Sequence, residues 1–152
     1  MNSSKEKHNS TLSSLADEAI FTEQTQHLLE FSERTQAKAS MLFITFETLN
    51  TPTNESDKAL ITQSISQALL KKARESDIYA HLDGMNFANL SIQTSTQHAA
   101  TIAEKLKHEL ARPLLLADGS SVTLLPKIGI ASYPEQGDNY QQLISYAKKM
   151  AH

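Results

Sequence analysis

Arg74 and Asp77 stand three positions apart in Arg74-Glu75-Ser76-Asp77. A guanidinium grips a phosphate or a base edge through two parallel hydrogen bonds, and a carboxylate accepts from nitrogen donors. The same pair has a plainer use: arginine favours the C-terminal end of a helix dipole, aspartate opens a turn, and the two form a local ion pair. A second cluster of candidates is the run Asp83-Gly84-Met85-Asn86-Phe87, whose Asp-Gly step tolerates the positive φ of a tight turn. Thr45 and Glu47 lie two apart, on one face of any strand that contains them. The six histidines, His8, His27, His81, His98, His108 and His152, include no pair spaced by four, so they do not read as a zinc site. With no cysteine, a disulfide, a thiolate metal site and a thiol nucleophile are all excluded.

These residues need elements to hold them. A chain of 152 residues, 39% hydrophobic and 20% charged, can bury the core of one domain and is too short for two. Its formal charge of -3 supplies no overall field for nucleic acid or an anionic membrane, so an anion must be bound locally. Apolar runs are too short to span a bilayer and residues 1–14 are polar, which reads as a cytoplasmic protein with no membrane contact. The expected organisation is a loose polar tail over 1–14 and one domain over 15–152. Hydrophobic spacing predicts a helix from Leu15 to about Lys38. A buried central strand from Ser40 to Leu49 follows, apolar on both faces until Thr45. Ile61, Ile65, Ala68 and Leu69 mark a second helix, running to about Arg74. Strands over 78–82 and 87–92 flank the Asp83-Gly84 turn, and Ala99, Ile102, Ala103, Leu106 and Leu110 define a third helix that Pro113 ends. A second hairpin is expected around Ala117-Asp118-Gly119, then a separate core strand over 127–134 and a last helix carrying Leu143, Ile144, Ala147 and Met150. The leucine runs Leu114-Leu115-Leu116 and Leu124-Leu125 are expected in the core. The pattern implies an α/β (α+β) domain with helices packed on a mostly antiparallel sheet.

In order and spacing, several segments together resemble the GGDEF domain of diguanylate cyclases. They are the lead-in from Arg74 to Asp77, the strand-turn-strand around Asp83 to Phe87, and Ala103-Glu104-Lys105 on the next helix. Ile128-Gly129-Ile130-Ala131-Ser132-Tyr133-Pro134, the Gly137-Asp138 loop and the alanine-containing last helix complete the set. The resemblance implies a palm-like sheet of about five strands flanked by helices, with a small extra β-hairpin. It also implies an ancestor that joined two GTP molecules into cyclic di-GMP, using a divalent metal held by carboxylates. The positions that match that site are changed. Thr45 and Glu47 stand for the two aspartates that end the first central strand, and Thr53 stands for the guanine-contacting asparagine. Asp83 replaces the first glycine of the signature, Met85 its acidic metal ligand and Asn86 its glutamate; Gly84 and Phe87 match. Catalytic residues, a metal and a cofactor are therefore not expected, nor is cyclase activity. A working nucleotidyl transferase is the remote alternative. The family's product-binding Arg-x-x-Asp element is intact, which implies that Arg74 and Asp77, assisted by Lys105, contact cyclic di-GMP. The expectation is a catalytically silent regulatory or sensor module in cyclic di-GMP signalling. The alternative is a scaffold that binds no nucleotide and pairs with itself, with another GGDEF domain or with a phosphodiesterase domain.

Overall fold

The computed structural model describes residues 15–48, 55–74, 77–92, 95–116 and 119–152; the expected tail over 1–14 and Thr53 lie outside them. The elements run α1 (Glu18–Thr35), β1 (Ala39–Thr48), α2 (Glu55–Lys72), β2 (Asp77–Asp83), β3 (Asn86–Ile92), α3 (Thr96–Leu110), β4 (Pro113–Leu115), β5 (Ser121–Tyr133) and α4 (Tyr140–Met150). The strands form one five-stranded antiparallel sheet in the order β2-β3-β1-β5-β4.

β1 sits at the centre because both of its faces are apolar. Leu42, Ile44 and Phe46 pack against Ile61, Ile65 and Leu69 of α2 and Ala103, Leu106 and Leu110 of α3. Ala39, Met41 and Phe43 point the other way, onto Phe21 and Leu29 of α1 and Leu143, Ile144 and Ala147 of α4. The period-two alternation of a strand thus feeds two cores separated by one sheet. α1 is shorter than its apolar spacing predicts. Asp17 caps it, its Oδ1 accepting from the Ile20 N–H at 2.9 Å, and Gln36 closes it in the left-handed conformation. The residue before the cap, Ala16, is drawn into a bridge on the outer edge of β2: its N–H donates to the Tyr79 carbonyl and its carbonyl accepts from His81.

Two expectations are corrected. The hairpin arm after Gly119 and the strand over 127–134 are one continuous strand, β5, which runs through Pro126. Ile128 exchanges backbone hydrogen bonds with His152 on the side away from β1. Pro126, two residues earlier, therefore turns its missing N–H to that same outer edge, beyond the last β4 partner Thr123. The leucine runs are split as well. Leu116 and Leu124 are buried, but Leu115 is 68% and Leu125 36% exposed.

α4 crosses β5 at Gly129. A β-carbon there would overlap the Ala147 carbonyl oxygen and lie 2.6 Å from the Ala151 nitrogen, so the helix backbone occupies the space of a side chain. Tyr140 joins the first and last helices: its hydroxyl donates to Glu18 Oε2 at 3.0 Å, and its ring meets Phe21 edge to face. No helix among the described residues is long and apolar enough to cross a membrane.

Candidate functional site

After α2 ends at Lys72, Arg74 and Asp77 are tied to each other from both sides. The Asp77 N–H donates to the Arg74 carbonyl at 3.0 Å, and the Arg74 N–H donates to Asp77 Oδ2 at 3.0 Å. The Arg74 side chain adds two longer bonds, Nε to Oδ2 at 3.4 Å and Nη2 to Oδ1 at 3.3 Å. From β3, the Ser91 hydroxyl donates to Asp77 Oδ1 at 2.7 Å. The carboxylate is buried, its side chain 5% exposed, while Arg74 is 48% exposed. Asp77 is thus held rigidly, and Arg74 keeps N–H donors beyond the two it commits to Asp77. The local ion pair of the plainer reading is present in the geometry; it leaves the arginine half in solvent.

Arg74, Asp77 and Lys105 border one cavity of about 570 Å³, between the end of α2, the start of β2 and α3. The volume suits a small organic ligand. Tyr79, His98 and Ile102 also line it, and sequence reasoning did not single them out as site residues. The signal was there. Tyr79 follows Asp77 by two on the same strand face, and His98, Ile102 and Lys105 recur at helical spacing on one face of α3. Burial, with the Asp77 carboxylate adding to it, raises the Tyr79 phenol well above its ordinary value. Burial and then Glu18 do the same for Tyr140. Both rings fold in the neutral form, whereas the unfolded chain ionises near pH 10, so their contribution is complete below about pH 10 and is lost as pH rises further. Urea midpoints measured at pH 9, 10 and 11 should fall progressively. The fall should be shallower in a Tyr79→Phe/Tyr140→Phe variant, and an unchanged slope there would exclude these rings as its source.

At the far end of the same hairpin three of the matching positions form a hydrogen-bonded chain. The Thr45 hydroxyl donates to Asn86 Oδ1 at 2.6 Å, and Asn86 Nδ2 donates to Asp83 Oδ1 at 3.1 Å. Register places Thr45 between Asn86 on β3 and Lys127 on β5. Glu47, two residues on, is paired with Lys127, Oε2 to Nζ at 2.8 Å. Met85 packs against the core beneath α2 and α3, and Phe87 is buried within it. Gly84 adopts φ +50 at the turn, a conformation glycine takes at no steric cost. The His81 ring stacks on Phe87 and its Nε2 donates to the Gly84 carbonyl at 2.8 Å. A divalent cation of the magnesium kind wants carboxylate oxygens in near-octahedral array. At the positions that the resemblance assigns to such an ion stand a hydroxyl bonded to Asn86, a thioether packed against the core and a lysine-paired glutamate, a donor set that does not suit it. Among the described residues no three of His, Asp and Glu gather in a way that could hold a metal. Beside the turn, Glu55, Lys58, Thr62 and Ser66 of α2 with His81 and Gly84 frame a second, open cleft of about 610 Å³.

A five-stranded antiparallel sheet between two pairs of helices, with a hollow near each end of the β2–β3 hairpin, defines a class of fold, and comparison with known proteins agrees. The family model described as diguanylate cyclase, GGDEF domain, matches residues 8–152. The chain belongs to the GGDEF domain family. Among individual relatives it is similar to diguanylate cyclase TpbB of Pseudomonas aeruginosa strain UCBPP-PA14, 30% identical over 141 residues, or 90% of this chain and 32% of that protein. It is also similar to the cyclic di-GMP phosphodiesterase NbdA of Pseudomonas aeruginosa, 23% identical over 107 residues, covering 70% of this chain and 14% of NbdA. The chain thus spans about a third of TpbB and less of NbdA. The crystal structure of the GGDEF domain of YfiN or TpbB from Pseudomonas aeruginosa superposes with a TM-score of 0.83 at 28% identity, covering 90% of this chain and 88% of that one.

Proposed function

We propose that this GGDEF domain makes no cyclic di-GMP and instead binds it, in the cavity bordered by Arg74, Asp77 and Lys105, as a regulatory or sensor module. The observation that carries the reading is the contrast between the two ends of one hairpin. At the β2 start a buried carboxylate is fixed by Ser91 and by the Arg74 backbone, beside a half-exposed guanidinium and within a cavity that Lys105 shares. At the turn end the positions that correspond to the family's metal ligands are Thr45 and Met85, the first bonded to Asn86 and the second partly buried against the core. Guanidinium and ammonium groups suit the ligand's phosphates, and a fixed carboxylate accepts from the nitrogen donors on a guanine edge. Phosphoryl transfer depends on charge stabilisation at the reacting phosphate, and removing one such group costs about 3–4 kcal/mol. Two missing carboxylates therefore leave turnover below detection.

Two measurements test the reading. Purified protein incubated with GTP and magnesium should yield no cyclic di-GMP by chromatography, and any sustained product formation would refute the silent-domain half. Calorimetric titration with cyclic di-GMP should show saturable binding, and a flat titration would refute the sensor half. The second reading, a scaffold that binds no nucleotide and pairs with itself or with another GGDEF or phosphodiesterase domain, draws on exposed Leu115 and Leu125. It would account for a flat titration.

A further inference from the structure

Lys72 and Glu109 link the end of α2 to the end of α3 through a 2.7 Å bond between Nζ and Oε2. Both residues border two hollows at once: the cavity of about 570 Å³ that Lys105 lines, and a smaller one of about 270 Å³ that Lys71 and Arg112 also line. The pair is therefore the partition between them. The glutamate sits in a strongly positive setting. The Lys72 hydrogen bond, and then the charges of Lys72, Arg112 and Lys105, hold its carboxyl below the usual carboxylate range.

We propose that Lys72, Lys105 and Arg112 form a binding site for a phosphoryl anion, and that Glu109 occupies it as an internal stand-in that an incoming phosphate must displace. The chemistry is competitive. An ammonium is a compact point charge with three rotatable donors, and it serves a carboxylate or a phosphate equally well. Lys72 and Glu109 are 49% and 35% exposed, so the exchange takes place at a wet surface and is sensitive to salt. The extension to a nucleotide, with its base against Arg74 and Asp77 and a phosphate exchanging with Glu109, rests on the reading proposed above. The anion site itself does not.

The test uses the whole chain and inorganic pyrophosphate as probe, followed by calorimetry in wild type, Glu109→Gln and Glu109→Gln/Lys72→Ala. Glutamine keeps the shape and removes the charge on an accessible helix face, and circular dichroism checks that the fold is kept. Glu109→Gln should bind pyrophosphate about 5–10-fold more tightly than wild type at low salt, with the gain shrinking at high salt as charges are screened. The gain should vanish in the double variant. Equal affinity in wild type and Glu109→Gln, or no binding to either, overturns the proposal, as does a gain that survives loss of Lys72. Cyclic di-GMP is then titrated into the same proteins. A parallel gain supports the nucleotide extension. A pyrophosphate gain with no cyclic di-GMP binding to any variant supports the anion site and refutes the nucleotide reading of the larger cavity.

Discussion

Replacing Arg74 by alanine should weaken cyclic di-GMP binding by about 100-fold or more, since two charge-assisted hydrogen bonds at about 1.5–3 kcal/mol each are at stake. The fold should stay intact. Asp77 would not be set adrift, because two of its donors survive the change: the backbone N–H of residue 74, at 3.0 Å, and the Ser91 hydroxyl, at 2.7 Å. The lost side-chain contacts to Asp77 are long, and the arginine is half exposed, so the stability cost should stay near the roughly 1 kcal/mol of a surface pair. Loss of binding in this variant therefore reports the guanidinium and not a displaced carboxylate. Arg74→Lys should fall between the two, since it keeps the charge and loses the fork. Calorimetry gives the affinity, and the ligand-induced rise in melting temperature gives an independent measure of the same quantity. If Arg74→Ala binds as tightly as the wild type, this cavity is not where the ligand goes.

The second large effect concerns the core. Gly129→Ala should destabilise the domain by about 3 kcal/mol or prevent folding, because the added methyl meets main-chain atoms that cannot rotate away. The obstructing atoms are the Ala147 carbonyl oxygen and the Ala151 nitrogen. Relief requires α4 to lift from β5, which would open the contacts of Leu143, Ile144 and Ala147 in the core beneath it. A loss of that size lowers the melting temperature of a chain this long by about 10 °C. Gly84→Ala is the informative contrast. Nothing lies within 4 Å of a β-carbon there, but φ is +50, so the cost should be only the left-handed strain of about 1–2 kcal/mol. Melting curves that rank the two variants in the opposite order would sink the account of Gly129 as a packing glycine.

Much of the frame was legible because local chemistry and tertiary packing agree. The apolar run from Ser40 on, continuous to Thr45, marks a strand buried on both sides, and that is where β1 lies. The Asp83-Gly84 turn, the helix from Thr96 to Leu110 and its stop before Pro113 also follow from local signals. The failures have a common cause. The expected strand over 127–134 begins just after Pro126, yet this proline is harmless on the side of β5 that β4 no longer covers, and which side a residue faces is a tertiary fact. Leu115 and Leu125 read as core because composition cannot say which strand residues the rest of the fold covers. At the site, Arg74, Asp77 and Lys105 were located only through the family resemblance, since a residue after α2, one at the start of β2 and one on α3 share no local period. The bond from Ser91 to Asp77 and the pairing of Lys72 with Glu109 were invisible for the same reason: each joins residues from different elements, brought together by the sheet and the helices above it.

The bridge that Ala16 makes to β2 has a bearing on self-association. An open sheet invites a foreign strand wherever a row of N–H and C=O groups faces solvent. In this domain Ala16 takes bonds from Tyr79 and His81 along one margin. At the opposite margin β4 is three residues long and begins with a proline, and His152 closes the next stretch of β5 at Ile128. Templated stacking of one copy onto another through these margins is thereby discouraged, and shortening the lead-in past Ala16 should be the simplest way to make the protein aggregate.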